Sequence, residues 1–90
     1  MPGQIHALCD DVRAQLAEAI NQQITNNGWT QAEAAARLGV KQPRISHLVN
    51  GQTERFTVDA LLNMATLAGL QVEVRVRHLT NPQGDSSHQE

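Results

Sequence analysis

Residues 29–51 read Trp29-Thr30-Gln31-Ala32-Glu33-Ala34-Ala35-Ala36-Arg37-Leu38-Gly39-Val40-Lys41-Gln42-Pro43-Arg44-Ile45-Ser46-His47-Leu48-Val49-Asn50-Gly51, and they decide the fold. The stretch holds two short helix patterns joined through a glycine. Thr30 is a favourable N-cap, and Glu33 three residues later can return the bond as a capping box stabilising by about 1 kcal/mol. The first pattern stops at Gly39, a residue that tolerates the left-handed backbone ending a helix. A second starts near Lys41, with Pro43 in its first turn where a missing N–H costs little, and runs to Asn50 before Gly51. Two short helices crossing at a tight turn, the second opening with polar side chains suited to base edges, have the layout of a helix-turn-helix that enters the major groove.

Working outward, Leu8, Val12, Leu16, Ile20 and Ile24 recur every fourth residue and predict a packing helix ending at Gly28. On the other side, Thr57 and Asp59 open a helix whose inner face is Val58, Leu61, Leu62, Ala65 and Ala68, closed by Gly69. Within the motif, Ala32, Ala36, Ile45, Leu48 and Val49 are expected to look inward, the alanines letting the two helices cross closely. Trp29 is expected to fill the gap between the first two helices.

From 71 to 77 the period changes to two: Val72, Val74 and Val76 alternate with Glu73, Arg75 and Arg77, the pattern of a strand. The chain offers no second strand to pair with it, so the expected partner is another copy across a two-fold axis. Val72, Glu73, Val74, Arg75 and Val76 are the expected dimer contact, each buried valine contributing about 1.5 kcal/mol before ordering costs. The alternative is an edge strand docked on its own protomer. Arg75 and Arg77 could serve DNA or an acidic partner, although charges on an outward strand face are usually solvated.

The class follows as mostly α: a four- to five-helix repressor-like DNA-binding domain with a C-terminal β-strand pairing across a dimer. Residues 1–10 read as a flexible N-terminus, 11–79 as the domain with its dimerisation strand, and 80–90 as a disordered tail with neither periodicity nor apolar content. Ninety residues allow one small domain. A single Cys9 and the lack of a long apolar run or leader pattern predict a cytoplasmic protein without disulfides or membrane attachment.

One Trp, one Phe and no Tyr leave little for stacking on single-stranded nucleic acid. A net charge of −2 argues against indiscriminate coating of nucleic acid. The distribution matters more: Arg37, Lys41 and Arg44 outweigh Glu33 within the motif, while Asp10, Asp11 and Glu18 outweigh Arg13 ahead of it. His6, His47, His78 and His88 are scattered, so no metal is expected, and no cofactor. The absence of a phosphate-binding glycine loop, a nucleophile with a base, or a closely spaced carboxylate pair argues against an enzyme.

The 29–51 stretch resembles the Xre/Cro-type helix-turn-helix of phage repressors. Further on, Arg55-Phe56-Thr57-Val58-Asp59-Ala60-Leu61-Leu62 and Gly69-Leu70-Gln71-Val72-Glu73-Val74-Arg75-Val76 resemble the branch containing HigA-like antitoxins, in which a strand follows the helical domain. About 11–79 is covered. The resemblance implies a homodimeric repressor of a double-stranded DNA operator with an inverted repeat, often one that autoregulates an operon shared with a cognate toxin. A rival reading makes the chain a protein-interaction module that neutralises a toxin, with DNA binding secondary or lost.

Carried over by position, the resemblance places Gln42, Pro43, Arg44 and His47 toward the major groove and gives Gln31 a phosphate and a brace for Gln42. Lys41 and Asn50 would hold phosphates at the two ends of the second helix, and the Thr30 and Gln31 amides would add a helix N-terminus aimed at the backbone. Arg44 stands out as the expected specificity residue, since a guanidinium can donate two bonds to guanine; Gln42 can do the same to adenine. His47 could equally be an ordinary exposed residue, and Ser46 could touch phosphate or permit close packing. Pro43 and Arg44 occupy positions where many relatives carry small hydroxyl residues, so operator preferences do not transfer.

Overall fold

The computed structural model describes residues 2–78, with side chains from Leu8 onward. Four α-helices and one 3-10 turn make up its regular structure: α1 Pro2–Asn27, α2 Gln31–Leu38, α3 Gln42–Val49, the turn Thr53–Arg55, and α4 Val58–Leu67. The backbone over 2–10, within the stretch read as a flexible N-terminus, is helical and continuous with α1. The 80–90 tail lies outside the described residues.

The fourfold repeat in α1 buries Leu16, Ile20 and Ile24 together with Ala17, while Val12 packs at the margin. Leu8, expected on the same face, is 63% exposed, because α1 there has run past the helices it packs against. α4 brings Leu61, Met64, Ala65 and Ala68 against this stripe, with Val58 and Leu62 at its edge. Each fully buried Leu, Ile or Met contributes about 1.5–3 kcal/mol, so Ile20, Leu38, Ile45, Leu48, Leu61 and Met64 carry most of the apolar stabilisation. Phe56 completes the core just before Thr57.

Helix ends follow the capping chemistry closely. The Thr30 Oγ1 accepts from the Glu33 N–H at 3.1 Å, and the Glu33 carboxylate accepts from the Thr30 N–H at 2.9 Å, closing the expected box. Thr57 caps α4 by accepting from the Ala60 N–H at 3.0 Å. Gly39 has φ 70°, where the Gly39 and Val40 N–H groups both donate to the Ala35 carbonyl and end α2.

The phase of α2 differs from the expected one. Ala34, Ala35 and Leu38 are buried, whereas Ala32 and Ala36 are exposed. Alanine occurs on every face of this helix, so the one large apolar residue, Leu38, sets the phase and draws in the residues one turn earlier. In α3, Ile45 and Leu48 are buried as expected, while Val49 lies a step beyond that stripe and is 38% exposed.

Beyond Leu70 the described residues carry no strand: 71–78 is exposed and has no regular structure. The expected strand is therefore not formed: a strand is defined by a ladder, and among the described residues no other extended segment pairs with 71–78. Val72, Val74 and Val76 are exposed.

Candidate nucleic-acid interface

α2 and α3 pack on each other through Ala34, Ala35, Leu38, Ile45 and Leu48, and the inward stripe of α3 dictates what remains outside. With Ile45 and Leu48 committed to the core, helical spacing leaves Gln42, Pro43, Ser46, His47 and Asn50 on the opposite side of α3. Gln42, Pro43 and Asn50 are exposed, and Ser46 and His47 are half-buried. Lys41, exposed, occupies the N-cap of α3 with no side-chain capping bond, so its ammonium is uncommitted at the positive end of the helix. Pro43 is in the first turn, where the absent N–H removes no helical bond.

Thr30 and Gln31, at the start of α2, are also exposed. The Thr30 hydroxyl and N–H are both used in the capping box, so neither group of Thr30 is free, and the Gln31 N–H is the next amide at the helix start. Gln31 carries no side-chain bond to another residue and faces solvent.

Arg44 is the exception among the expected site residues. Its guanidinium carbon lies 4.2 Å from the centroid of the Phe56 ring, and its Nη1 donates to the Arg55 carbonyl at 3.1 Å. The spacing accounts for it: Arg44 sits one turn before Leu48 and flanks the buried stripe, so its stem leaves α3 sideways. In parallel, Arg37 on α2 stacks over Trp29 at 4.9 Å from the ring centroid, and Trp29 is half-buried against the core as expected.

Two contacts in and behind the site were not legible beforehand. Asn21 of α1 donates through Nδ2 to the Leu48 carbonyl at 3.1 Å, and Gln23 donates through Nε2 to the Ala68 carbonyl at 2.9 Å. From the two flanks of its buried stripe, α1 thereby satisfies carbonyls at the C-terminal ends of α3 and α4, groups that a helix leaves without internal partners. The sequence signal was present only as polar residues flanking Ile20 and Ile24. The Asn21 Oδ1 and the His47 Nδ1 are buried atoms without a hydrogen-bond partner in the protein.

Among the described residues no group of His, Cys, Asp and Glu could hold a metal, and no helix is long and apolar enough to cross a membrane. A short helix seated on its neighbour through an apolar stripe, with polar groups on the opposite face and a capped helix N-terminus before it, defines a helix-turn-helix DNA-binding module.

The comparisons agree. The family model described as a helix-turn-helix domain matches residues 6–77. The chain is also similar to a solved structure of a protein assigned to the XRE family of transcriptional regulators, at 32% identity and a TM-score of 0.77, over 92% of this chain and 91% of that one. No curated protein matches the sequence. The chain belongs to the XRE-type helix-turn-helix family of DNA-binding transcriptional regulators.

Proposed function

We infer that this regulator binds a double-stranded DNA operator sequence-specifically, as a homodimer on an inverted repeat. The reading is carried by the outer face of α3: Gln42 and Pro43 exposed, His47 beside them, and Lys41 and Asn50 at the two ends. Gln42 and His47 read base edges; Lys41, Asn50, Gln31 and the N-terminus of α2 at Thr30 hold phosphates and fix the register. Arg44 belongs to the same surface.

The dimer reading is supported by the chain's C-terminal part. Val74 and Val76 are 79% and 89% exposed, next to a groove of about 500 Å³ between α1 and α4 lined by Val12, Leu16, Leu62, Leu70 and Val72. Pairing of 71–77 with its equivalent, through Val72, Glu73, Val74, Arg75 and Val76, would supply the missing ladder and cover the valines. Two α3 helices would then need to lie about 34 Å apart to enter successive major grooves.

Within the family we place the chain with the HigA-like antitoxins, on the resemblance of 55–79, as an autoregulating repressor with a cognate toxin as its protein partner. Selection from a randomised duplex pool tests the operator reading. It should return an inverted repeat with half-sites about 10 base pairs apart, and recovery of unrelated sequences would contradict it. Co-purification with the product of the adjacent gene tests the antitoxin assignment; a neighbour that neither binds the chain nor harms cells when expressed alone would remove it.

A further inference from the structure

A guanidinium that reads guanine needs two N–H groups free and aimed the same way. Arg44 has one Nη1–H committed to the Arg55 carbonyl and one face of its plane over the Phe56 ring, which is itself 2% exposed. The segment it grips is seated on the protein by the buried Phe56 side chain and by packing of the 3-10 turn on α1, and its backbone bonds are local. The Arg55 N–H donates to the Gln52 carbonyl at 3.2 Å and the Phe56 N–H to the Thr53 carbonyl at 3.0 Å, bonds internal to the segment, while the Gln52 N–H reaches back to the His47 carbonyl at 3.0 Å. Beside the packing of Phe56 in the core, Arg44 supplies the side-chain hydrogen bond that ties the distal end of the segment to α3.

We propose that Arg44 is a positioning residue: by stacking on Phe56 and bonding the Arg55 carbonyl, it locks the 52–56 segment beside α3, so that helix and segment meet the duplex as one preassembled surface. This rests on the DNA-binding reading, and it replaces base readout as the part Arg44 plays. Ordering the segment before binding lowers the entropy lost on docking, and does so for any duplex that the surface meets. The exposed Arg55 side chain is carried on this segment, and a cation placed against backbone phosphates adds affinity without sequence preference. Loss of the tie should therefore weaken binding to all duplexes by a common factor.

The test uses the full chain with Arg44→Met, which keeps an apolar stem, with Phe56→Leu, which keeps bulk without a ring face, and with both. In the DNA-free protein, amide hydrogen exchange at Arg55 and Phe56 should accelerate about tenfold in Arg44→Met while the core amides of α1 and α4 stay protected. Affinity should fall about three- to thirtyfold for the duplex upstream of its own gene and for a scrambled duplex alike, with their ratio unchanged and the double variant no weaker than the worse single one. Arg44→Lys, which keeps the charge but not the planar fork, should behave as Arg44→Met and substitutes if Phe56→Leu does not fold.

A collapse of the affinity ratio in Arg44→Met, with the ratio intact in Phe56→Leu, would overturn the proposal and make Arg44 a base reader. Unchanged exchange at Arg55 and Phe56 would overturn it independently of DNA. If the unmodified protein binds neither duplex, the DNA reading fails, and the exchange measurement alone decides the tie.

Discussion

The Asn21 side chain donates to the Leu48 carbonyl at 3.1 Å, so the last turn of the helix that presents the candidate site is held by the long helix behind it. The Gly51 N–H shares that carbonyl at 3.1 Å, and the Asn21 Oδ1 has no partner. Replacing Asn21 with Ala should cost only about 1 kcal/mol, because Leu48 keeps one bond and an orphaned acceptor is removed. Asn21→Asp should cost more, about 2 kcal/mol or above, since it sets a carboxylate against a carbonyl where a donor is required. Denaturant unfolding of both variants at neutral pH measures the order; an Asp variant as stable as the Ala one would refute it.

Thr30→Ala removes one bond of the capping box and exposes the other to competition from water. A loss of about 1 kcal/mol follows, equivalent to about 4–8 °C in midpoint for a domain of this size. Because the Thr30 hydroxyl and N–H are both committed to the capping box, the ratio of operator to scrambled-duplex affinity should not change.

Gly39→Ala tests the turn between α2 and α3. A Cβ there would meet nothing closer than the Leu67 Cδ1 at 3.8 Å, an ordinary contact, so any loss is conformational and comes from φ 70°. The cost should be about 1 kcal/mol or somewhat more, and Gly39→Asn should recover part of it. Equal stability for Gly39→Ala and the unmodified chain, by thermal unfolding, would show that the turn relaxes out of the left-handed region.

Val74→Glu addresses the dimer. Val74 is 79% exposed in the single chain, so the protomer should remain folded, with circular dichroism unchanged. Sedimentation should show monomers in place of dimers, and operator affinity should drop by about 10²-fold or more as the second half-site is lost. A variant that stays dimeric would place the contact between copies elsewhere, with the α1–α4 groove as the surface to examine next.

How much of this was legible beforehand varied with the kind of signal. Positions fixed by backbone stereochemistry were clear: the capping box at Thr30 and Glu33, the cap at Thr57, and the glycines at 28, 39, 51 and 69, all of which have positive φ. Positions fixed by a single large apolar residue among small ones were not. Four alanines in α2 fit any phase, and only Leu38, meeting its neighbours in three dimensions, selects Ala34 and Ala35. Phe56 was missed as a core residue because the segment before α4 has too few residues to show a period, and Met64 was left out although it lies on the α4 stripe three residues after Leu61.

The candidate site divides in the same way. Helical spacing from Ile45 and Leu48 suffices to place Gln42, Pro43 and His47 outward, since an eight-residue helix has one inner face. The destination of a long flexible side chain is not a matter of spacing. Arg44 meets Phe56 twelve residues along the chain, and the carbonyl of Arg55 is offered by a turn whose path depends on α1 and α3. The strand expected over 71–77 is not formed among the described residues, where 71–78 has no regular structure.

Whether the outer face of α3 reads duplex sequence is decided by the affinity of Gln42→Ala, His47→Ala and the double variant for operator and scrambled duplexes at one stated salt concentration. Each single change should reduce the operator-to-scrambled ratio about 5- to 100-fold, with scrambled-duplex affinity nearly constant. Ratios indistinguishable from that of the unmodified protein in all three variants would contradict the account.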